Sequence, residues 1–289
     1  MIRIGIIGSE NSHAHAFSTI FNCTDKYPDI EVVGVYGEDP QASQKIHEEC
    51  KVPFIADSAT DMLGRVDAMM VTSRNGALHP GYARPYIEAG LPMFIDKPIA
   101  NDGTEAYALL MLAQEKGVPV LGGSSVKLVD DVLSMRGTAR AAAEAGLLYA
   151  GHVWAPVTME NPYGNFYFYS AHLIESAMAI FGFAPKSVSA QASARGVEAM
   201  LNYEGYVVHL SYMDGGQHYG ATVLTKDTGR SCVFDTTGGY ALEVEHFVQM
   251  LRTGKSTQTL EELVAPIYAL NAIEKAYITG QVQPVVLPK

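Results

Sequence analysis

The sequence predicts a two-domain α/β protein, in which a doubly wound parallel sheet is followed by an α+β domain with an open-faced antiparallel sheet. Short apolar runs alternate with helical patterns over residues 1–121, which is typical of a parallel sheet with helices on both faces. After Gly122 and Gly123 the strand-like segments alternate apolar and polar residues, which favours an antiparallel sheet with one covered face. At 289 residues the chain can bury two cores. We therefore expect domains at residues 1–121 and 122–289.

The first half of the chain opens with a β-branched run, residues 2–7, that ends at Gly8 and predicts a buried strand. Ser12 is a suitable N-cap for the helix that follows. Further on, Pro80 suits a first helical turn and Gly90 a left-handed C-terminal cap. The other elements predicted here are strands at 30–36, 54–56, 68–72, 91–95 and 118–121, and helices at 40–50, 59–63, 80–89 and 104–116.

The second half is predicted to contain a strand-rich sheet framed by helices. An apolar helix carries His172 and ends near Gly182. The other predicted helices are at 129–145, 241–252 and 260–279, and the predicted strands are at 148–157, 187–192, 199–203, 206–212, 219–225 and 231–235.

One strand, helix and strand unit in the first half carries the most informative motif. Residues 68–72 and 91–95 are the two strands, and a parallel pair joined by a helix places the loops after both strands at one edge of the sheet. The first loop reaches His79, and the second is Asp96-Lys97-Pro98. This pattern resembles the glucose-fructose oxidoreductase, inositol dehydrogenase and MocA family of nicotinamide-dependent oxidoreductases, and the resemblance extends over essentially the whole chain.

The resemblance implies a Rossmann first domain, an open-faced second domain and three catalytic residues. Lys97 would bind the substrate hydroxyl and stabilise the developing oxyanion. In the second domain, His172 matches the family's proton-transfer histidine, whereas Phe168 stands where the family has an aspartate and Glu175 replaces a second one. Because Glu175 lies three residues after His172 on the same helical face, we expect its carboxylate to fix the imidazole tautomer.

The turn at Gly8 is where the cofactor would bind, and it departs from the dinucleotide pattern G-x-G-x-x-G because only the first glycine is present. A helix N-terminus there can still hold an anion. We expect Glu10 to turn toward solvent or the amides of the helix start, while Glu38 accepts from a ribose and favours NAD over NADP. The predicted cofactor-binding residues are Gly8, Ser9, Asn11, Ser12, Glu38, Thr72, Ser73, Asn75, His79, Asp96 and Lys97.

Polar and aromatic residues of the second domain are the candidate substrate contacts. They follow the last strand of the first domain or lie near His172, and they are Ser124, Lys127, Tyr163, Tyr169 and His172. No metal site is predicted, since the histidines lack a ligand spacing such as H-x-x-x-H.

Composition excludes several classes of protein. A formal net charge of −11 argues against nucleic acid, and the lack of a long apolar run argues against a membrane span. Three cysteines without paired spacing fit a reducing cytoplasm. The open sheet face predicts a homodimer or homotetramer.

These observations lead to an NAD-dependent oxidoreductase that transfers hydride between the nicotinamide and a sugar, polyol or similar hydroxy compound. Two alternatives remain open. A non-catalytic sensor or regulatory protein of the same fold is favoured by the altered Gly8 turn and by Phe168. A redox-neutral NAD-dependent lyase or glycosidase is the other.

Overall fold

The structure is a computed structural model that describes residues 1–288. The strands are β1 (Ile2–Ile7), β2 (Ile30–Tyr36), β3 (Phe54–Ile55), β4 (Ala68–Val71), β5 (Met93–Asp96), β6 (Val120–Gly123), β7 (Leu148–Val157), β8 (Ser187–Ser193), β9 (Gly196–Asn202), β10 (Val207–Asp214), β11 (Gly220–Thr225), β12 (Gly229–Val233) and β13 (Gln283–Pro284). The helices are α1 (Ser12–Asn22), α2 (Pro40–Glu49), α3 (His79–Glu88), α4 (Gly103–Glu115), α5 (Asp130–Glu144), α6 (Tyr167–Phe181), α7 (Gly239–Thr253) and α8 (Leu260–Thr279). Gly76–Leu78 and Ser125–Leu128 form 3-10 helices.

The chain forms two compact units, each built from separate segments. The first unit comprises Met1–Ala100, Thr104–Gly123 and Tyr240–Thr259, and the second comprises Asn101–Gly103, Ser124–Gly239 and Leu260–Lys289. The first unit therefore includes most of α7, which the sequence analysis had assigned to the second domain. The reason is apolar packing, since Phe247 of α7 lies in one core cluster with Phe17 and Phe94.

The first unit is a parallel six-stranded sheet in the order β3-β2-β1-β4-β5-β6, which confirms the predicted doubly wound sheet. Its central strands β4 and β5 are fully buried, as expected for strands covered by helices on both faces. All strands run in the same direction. The loops after β1, β4 and β5 therefore leave from the same edge.

The second unit holds a seven-stranded sheet in the order β12-β11-β7-β10-β9-β8-β13. Most neighbours are antiparallel, but β7 and β10 pair in parallel, so the sheet is mixed rather than purely antiparallel. Along β10, burial alternates with period two, which confirms that one face is covered and the other open. Helix α8 packs against β8.

Some predicted elements differ from the structure. Residues 59–63 form turns rather than a helix, and β9 begins at Gly196, three residues before its predicted start. The two-residue strand β13 was not predicted, because it is defined only by its pairing with β8. Within residues 1–288, the longest and most apolar helices fall short of what a bilayer crossing requires.

Candidate active site

The turn after β1 is held by close approach to its neighbours. Gly8 has a φ of +105°, and a side chain there would place its Cβ 2.2 Å from the backbone nitrogen of Ser73. Only glycine combines this backbone conformation with so close an approach. The amides of Gly8 and Ser9 both donate to Tyr36 O, at 2.8 and 3.3 Å. The one glycine that the turn retains is therefore the one that its geometry requires.

Two of the expected cofactor donors in this turn are already used by the protein itself. The Ser9 hydroxyl is buried and hydrogen-bonds that of Ser43 at 2.9 Å. Asn11 Nδ2 donates to Thr72 O at 2.7 Å and to Asp96 Oδ2 at 3.0 Å, and Asn11 Oδ1 caps α1 by accepting from the His13 amide. The side chains of Ser9 and Asn11 are therefore bonded within the protein, and their contact with a cofactor stays a prediction. Ser12 is exposed, with its hydroxyl 3.1 Å from that of Tyr240.

Glu10 turns toward an amide, although a different one from those expected. Its Oε1 accepts from the Arg74 amide at 3.1 Å, in the loop after β4 rather than at the start of α1. The carboxylate thus satisfies a backbone donor of a neighbouring loop. That contact fixes where its charge lies.

The end of β2 leaves no room for a side chain at Gly37. A Cβ on Gly37 would lie 2.0 Å from Ser9 Oγ, so the buried serine occupies the space that a larger residue would need. The neighbouring Glu38 is exposed, and its Oε1 accepts from the Tyr82 hydroxyl at 3.1 Å. Glu38 therefore remains the acidic side chain at this strand end.

The loop after β4 uses its polar side chains to shape itself. The Thr72 hydroxyl lies 3.1 and 3.2 Å from the carbonyls of Ile7 and Gly8, to which it donates. Ser73 Oγ donates to Asn75 O at 3.3 Å, and Asn75 Oδ1 accepts from the Ala77 amide and caps the 3-10 helix. The side chains predicted to contact the cofactor thus hold the loop in place.

His79 is fully buried and joins two loops. Its Nδ1 lies 2.7 Å from Pro98 O and its Nε2 lies 2.8 Å from Ser73 O. Burial lowers the pKa of His79, while the carbonyl contacts and Asp96 act in the opposite direction. Because both ring nitrogens face backbone carbonyls, His79 fixes the loop geometry, and its contact with a cofactor stays a prediction.

Asp96 and Lys97 lie at the carboxyl end of β5, and both are buried. Asp96 Oδ1 accepts from the Lys97 amide at 2.7 Å, while its Oδ2 accepts from Asn11 Nδ2. Burial, opposed by Asp96 and aided by the Lys97 charge, lowers the pKa of His13. Lys97 thus contributes a positive charge at this edge of the sheet.

A buried cluster that the sequence did not reveal joins His13, Asp96 and Glu243. Their ligand-type atoms all lie within 4.8 Å of one another. His13 Nδ1 is 3.1 Å from Asn11 Oδ1 and 3.3 Å from Asp96 Oδ2, whereas His13 Nε2 faces Glu243 Oε2 at 3.6 Å. Each Asp96 oxygen accepts one hydrogen bond, which leaves lone pairs on the carboxylate, so each of the three residues can still offer one ligand atom. Three residues so far apart in sequence give no local motif.

In the second unit, His172 lies at the centre of a buried polar network. His172 Nδ1 is 2.7 Å from Ser124 Oγ. Glu175 Oε2 accepts from Lys127 Nζ at 2.6 Å and from the Ser124 amide at 2.8 Å. The prediction that Glu175 orients His172 is therefore wrong, because Lys127 and the Ser124 amide hold its carboxylate. The sequence named all four residues but not which of them would pair.

Aromatic rings surround this histidine. Tyr169 lies 5.4 Å from His172 between ring centroids, and Tyr219 lies 5.9 Å away on an edge-on approach. Phe168 packs on Tyr163 and Tyr169, at 5.0 and 4.9 Å. Phe168 therefore packs between two tyrosine rings, and Tyr219 is a neighbour of His172 that sequence reasoning missed.

Comparison with known proteins relates residues 2–124 to one protein family. Residues 2–124 match the sequence model of a family described as an oxidoreductase family with an NAD-binding Rossmann fold. The model is that of the Gfo/Idh/MocA oxidoreductase family. Myo-inositol dehydrogenase Hyg17 of Streptomyces leeuwenhoekii is 34% identical over 86 residues, which cover 29% of this chain and 26% of that relative. The alignment thus spans about a quarter of the length of that curated relative.

Solved structures of inositol dehydrogenases share the fold of the whole chain. Myo-inositol 2-dehydrogenase from Lactobacillus plantarum has a TM-score of 0.83 at 15% identity and covers 99% of each chain. Scyllo-inositol dehydrogenase from Lactobacillus casei, solved with NAD(H) and scyllo-inositol, has a TM-score of 0.81 at 15% identity, again over 99% of each chain. At this identity the likeness concerns the fold.

The NAD of the Gfo/Idh/MocA family fits the first unit in its main features. Helix α1 presents its N-terminus at the carboxyl edge, and the amides of Glu10 and Ser12 donate to no atom of residues 1–288. Such amides and the helix dipole favour a phosphate. Glu38 adds an acceptor at the end of β2 for a ribose. The Glu10 carboxylate opposes an anion.

Proposed function

We propose that this protein is an NAD-dependent dehydrogenase acting on a polyol or sugar-like hydroxyl. The observation that carries the proposal is the burial of Lys97 at the carboxyl end of β5, within a segment that belongs to an NAD-binding oxidoreductase family. A buried ammonium is positioned rather than mobile, and it can stabilise negative charge far better than an exposed one.

The residues of this chain divide the chemistry between them. Lys97 stabilises the reacting oxygen as it becomes an alkoxide. Proton transfer by His172 stays a prediction from the family resemblance. Bound NAD supplies the electron acceptor for the oxidation. The amides at the start of α1 would hold its phosphates, and Glu38 its ribose.

The substrate class is supported by the relatives and by the surroundings of His172. The relative from Streptomyces leeuwenhoekii is named a myo-inositol dehydrogenase, and the Lactobacillus casei structure contains scyllo-inositol. Rings such as Tyr169 and Tyr219 beside His172 can stack on the apolar face of a cyclitol or sugar while their hydroxyls bond to it.

The test is to titrate NAD and NADP by calorimetry and to assay a panel of inositols, sugars and linear polyols by nicotinamide absorbance. NAD is expected to bind more tightly than NADP, with turnover of at least one polyol. Lys97→Ala should lower turnover by about 100-fold or more. Lys116→Ala, which removes an exposed lysine, is the control and should leave turnover unchanged. An active Lys97→Ala protein would contradict the catalytic role.

A second candidate is a non-catalytic protein that binds the same ligands. It is favoured by Ser9 and Asn11, whose polar groups are used within the protein, and by Phe168 in place of an acidic residue. Binding of NAD or a polyol without turnover of any compound in the panel would support it.

The cytoplasmic location and the homodimer or homotetramer remain predictions from the sequence. Support for self-association comes from the open face of the second sheet, which carries His152, Trp154, His209 and Ser211 at half-buried or exposed positions. Sedimentation at micromolar concentration should show a dimer or tetramer, and a strictly monomeric profile would count against it.

A further inference from the structure

The orientation of the Asn11 side chain fixes which nitrogen of His13 carries a hydrogen. Asn11 Nδ2 donates to Thr72 O at 2.7 Å and to Asp96 Oδ2 at 3.0 Å, so the other end of the amide is its oxygen. That oxygen lies 3.1 Å from His13 Nδ1, and Asp96 Oδ2 lies 3.3 Å from the same nitrogen. Because both neighbours are acceptors, Nδ1 must donate. A neutral His13 therefore carries its hydrogen on Nδ1.

The other ring nitrogen of His13, Nε2, then presents a lone pair to a carboxylate. Nε2 has no hydrogen-bond partner within residues 1–288, and it faces Glu243 Oε2 at 3.6 Å. His13 is 5% exposed and Glu243 is 2% exposed, so bulk water does little to screen this contact. A buried lone pair directed at a carboxylate oxygen is unfavourable unless a positive group lies between the two atoms.

The separation of these two atoms distinguishes a proton from a metal ion. A hydrogen bond from nitrogen to oxygen spans roughly 2.7–3.2 Å, which is shorter than the 3.6 Å between His13 Nε2 and Glu243 Oε2. Zinc binds imidazole nitrogen and carboxylate oxygen at about 2.0–2.2 Å, so neighbouring ligands of a tetrahedral site lie about 3.4 Å apart. The observed separation is closer to that of two metal ligands.

We propose that His13 and Glu243, together with Asp96, bind a divalent transition-metal cation. One ring nitrogen of His13 and one carboxylate oxygen of each acidic residue lie within 4.8 Å of one another. This combination of imidazole and carboxylate ligands suits Zn²⁺ better than Mg²⁺, which prefers oxygen ligands and retains its water. The site does not rest on the proposed dehydrogenase function.

The surroundings hold the imidazole of His13 in one orientation. The two oxygens beside Nδ1 accept its hydrogen, as the outer partners of metal-bound histidines do. The rings of Phe17 and Tyr240 lie 5.5 and 4.3 Å from that of His13 between centroids. The charge of Lys97 acts on His13 and opposes a cation, so we expect weaker binding than at a structural zinc site. In the metal-free protein, burial lowers the pKa of His13.

The experiment is titration calorimetry with ZnCl₂ on the full chain, without a histidine tag and after treatment with EDTA. The wild type is expected to bind one Zn²⁺ per chain and to unfold at a higher temperature with Zn²⁺, because a cation that binds only the folded state stabilises it. MgCl₂ should bind at least about 10-fold more weakly. A wild type that does not bind Zn²⁺ would overturn the proposal. Because neither NAD nor turnover is needed, this result is independent of the dehydrogenase assay.

Two variants test the ligands. Glu243→Gln removes the charge at nearly constant size, and His13→Asn removes the nitrogen ligand. Each should weaken Zn²⁺ binding by about 100-fold or more, since changes to the outer partners of a ligand already cost roughly 10- to 100-fold. The control is His15→Asn, which removes an exposed histidine that pairs with Glu49 at 2.7 Å and should bind Zn²⁺ like the wild type. Binding lost in His15→Asn but retained in the other two variants would place the ion on the surface and overturn the proposal.

X-ray absorption of the zinc-loaded wild type tests the ligand types without any substitution. The expected spectrum shows a shell of nitrogen and oxygen with the outer scattering of an imidazole, as for histidine and carboxylate ligands. A shell that contains sulfur, or one without imidazole, would overturn the proposal. This measurement decides the matter even if a variant fails to fold.

Discussion

The loop after β1 and the loop after β6 both place serines in front of a helix, yet they use their polar side chains differently. In the first loop, Ser9 hydrogen-bonds Ser43, a residue with no chemistry to perform. In the second, Ser124 bonds His172, and its amide binds Glu175. A serine therefore stabilises the fold in the first loop and contacts a candidate catalytic histidine in the second. Its role depends on the residue that it bonds.

The two buried clusters beside these loops also differ in how their charge is balanced. Lys127 and Glu175 form an ion pair at 2.6 Å with both side chains buried. In the first unit, His13 Nε2 faces Glu243 at 3.6 Å, beyond hydrogen-bond distance, and has no hydrogen-bond partner of its own within residues 1–288. Mutation of the Lys127–Glu175 pair should therefore change mainly the free energy of unfolding. Mutation of His13 should change mainly how that free energy depends on pH.

The largest effect is expected from breaking the buried ion pair with Glu175→Gln. The variant leaves the Lys127 ammonium buried without an opposite charge, which should lower the free energy of unfolding by about 3–5 kcal/mol. Urea denaturation measures it. The control is Glu144→Gln, which breaks the exposed Arg140–Glu144 pair and should change stability by at most about 0.5 kcal/mol. Equal losses in the two variants would show that burial of the pair does not matter.

A smaller loss is expected from Gly8→Ala in the first loop. Gly64 also has a positive φ, but its Cβ would meet nothing within 4 Å, so Gly64→Ala measures the backbone strain alone, about 1–2 kcal/mol. Gly8→Ala should cost more, because its Cβ would overlap the Ser73 backbone. Thermal unfolding of both variants compares them, and a Gly8→Ala protein as stable as Gly64→Ala would refute the close approach.

A gain of affinity is expected when the charge of Glu10 is removed. A carboxylate about 4 Å from a phosphate costs roughly 4 kcal/mol at an effective dielectric near 20, and if half is felt, Glu10→Gly should tighten NAD binding by up to about 2 kcal/mol. Glu10→Gln is the matched variant, since its amide oxygen can still accept from Arg74. Titration calorimetry measures the affinity for NAD. Weaker NAD binding in both variants would mean that the Glu10 carboxylate favours binding.

The smallest effect concerns pH and His13. Burial lowers the pKa of His13 in the folded protein, so the unfolded chain binds more protons once the pH falls below about 6.5. Stability should therefore be full above that pH and decline as the solution is acidified toward the folded pKa. His13→Asn should flatten this decline, while His15→Asn, which removes an exposed histidine, should not. If the free energy of unfolding fell with decreasing pH equally in His13→Asn and the wild type, His13 would not be the cause of the decline.

The sequence predicted the parallel sheet well, because its strands are short apolar runs whose burial on both faces leaves a local pattern, as in Ala68–Val71 and Met93–Asp96. It also named the residues of the His172 network. It could not say how they pair. Helical spacing placed Glu175 beside His172. In the structure the Glu175 carboxylate instead accepts from Lys127 Nζ at 2.6 Å, and Lys127 lies 48 residues away along the chain.

The same limit applies to Glu10 and Glu243. The amide that binds Glu10 belongs to Arg74, and Glu243 approaches His13 from α7. Both partners are brought by the fold rather than by neighbouring sequence. Such pairing depends on which polar groups have no hydrogen-bond partner once the backbone hydrogen bonds have formed. A local sequence pattern does not contain this information.

The first unit has a consequence for how the protein is made. Its third segment, Tyr240–Thr259, supplies Val244, Phe247, Val248 and Met250 to a core that also contains Phe17 and Phe94. A ribosome that has finished β6 must therefore translate to residue 259 before that core can close, a delay on the order of ten seconds at ordinary rates of synthesis. During that interval the nascent sheet exposes apolar surface, which makes the nascent chain a natural client for a chaperone.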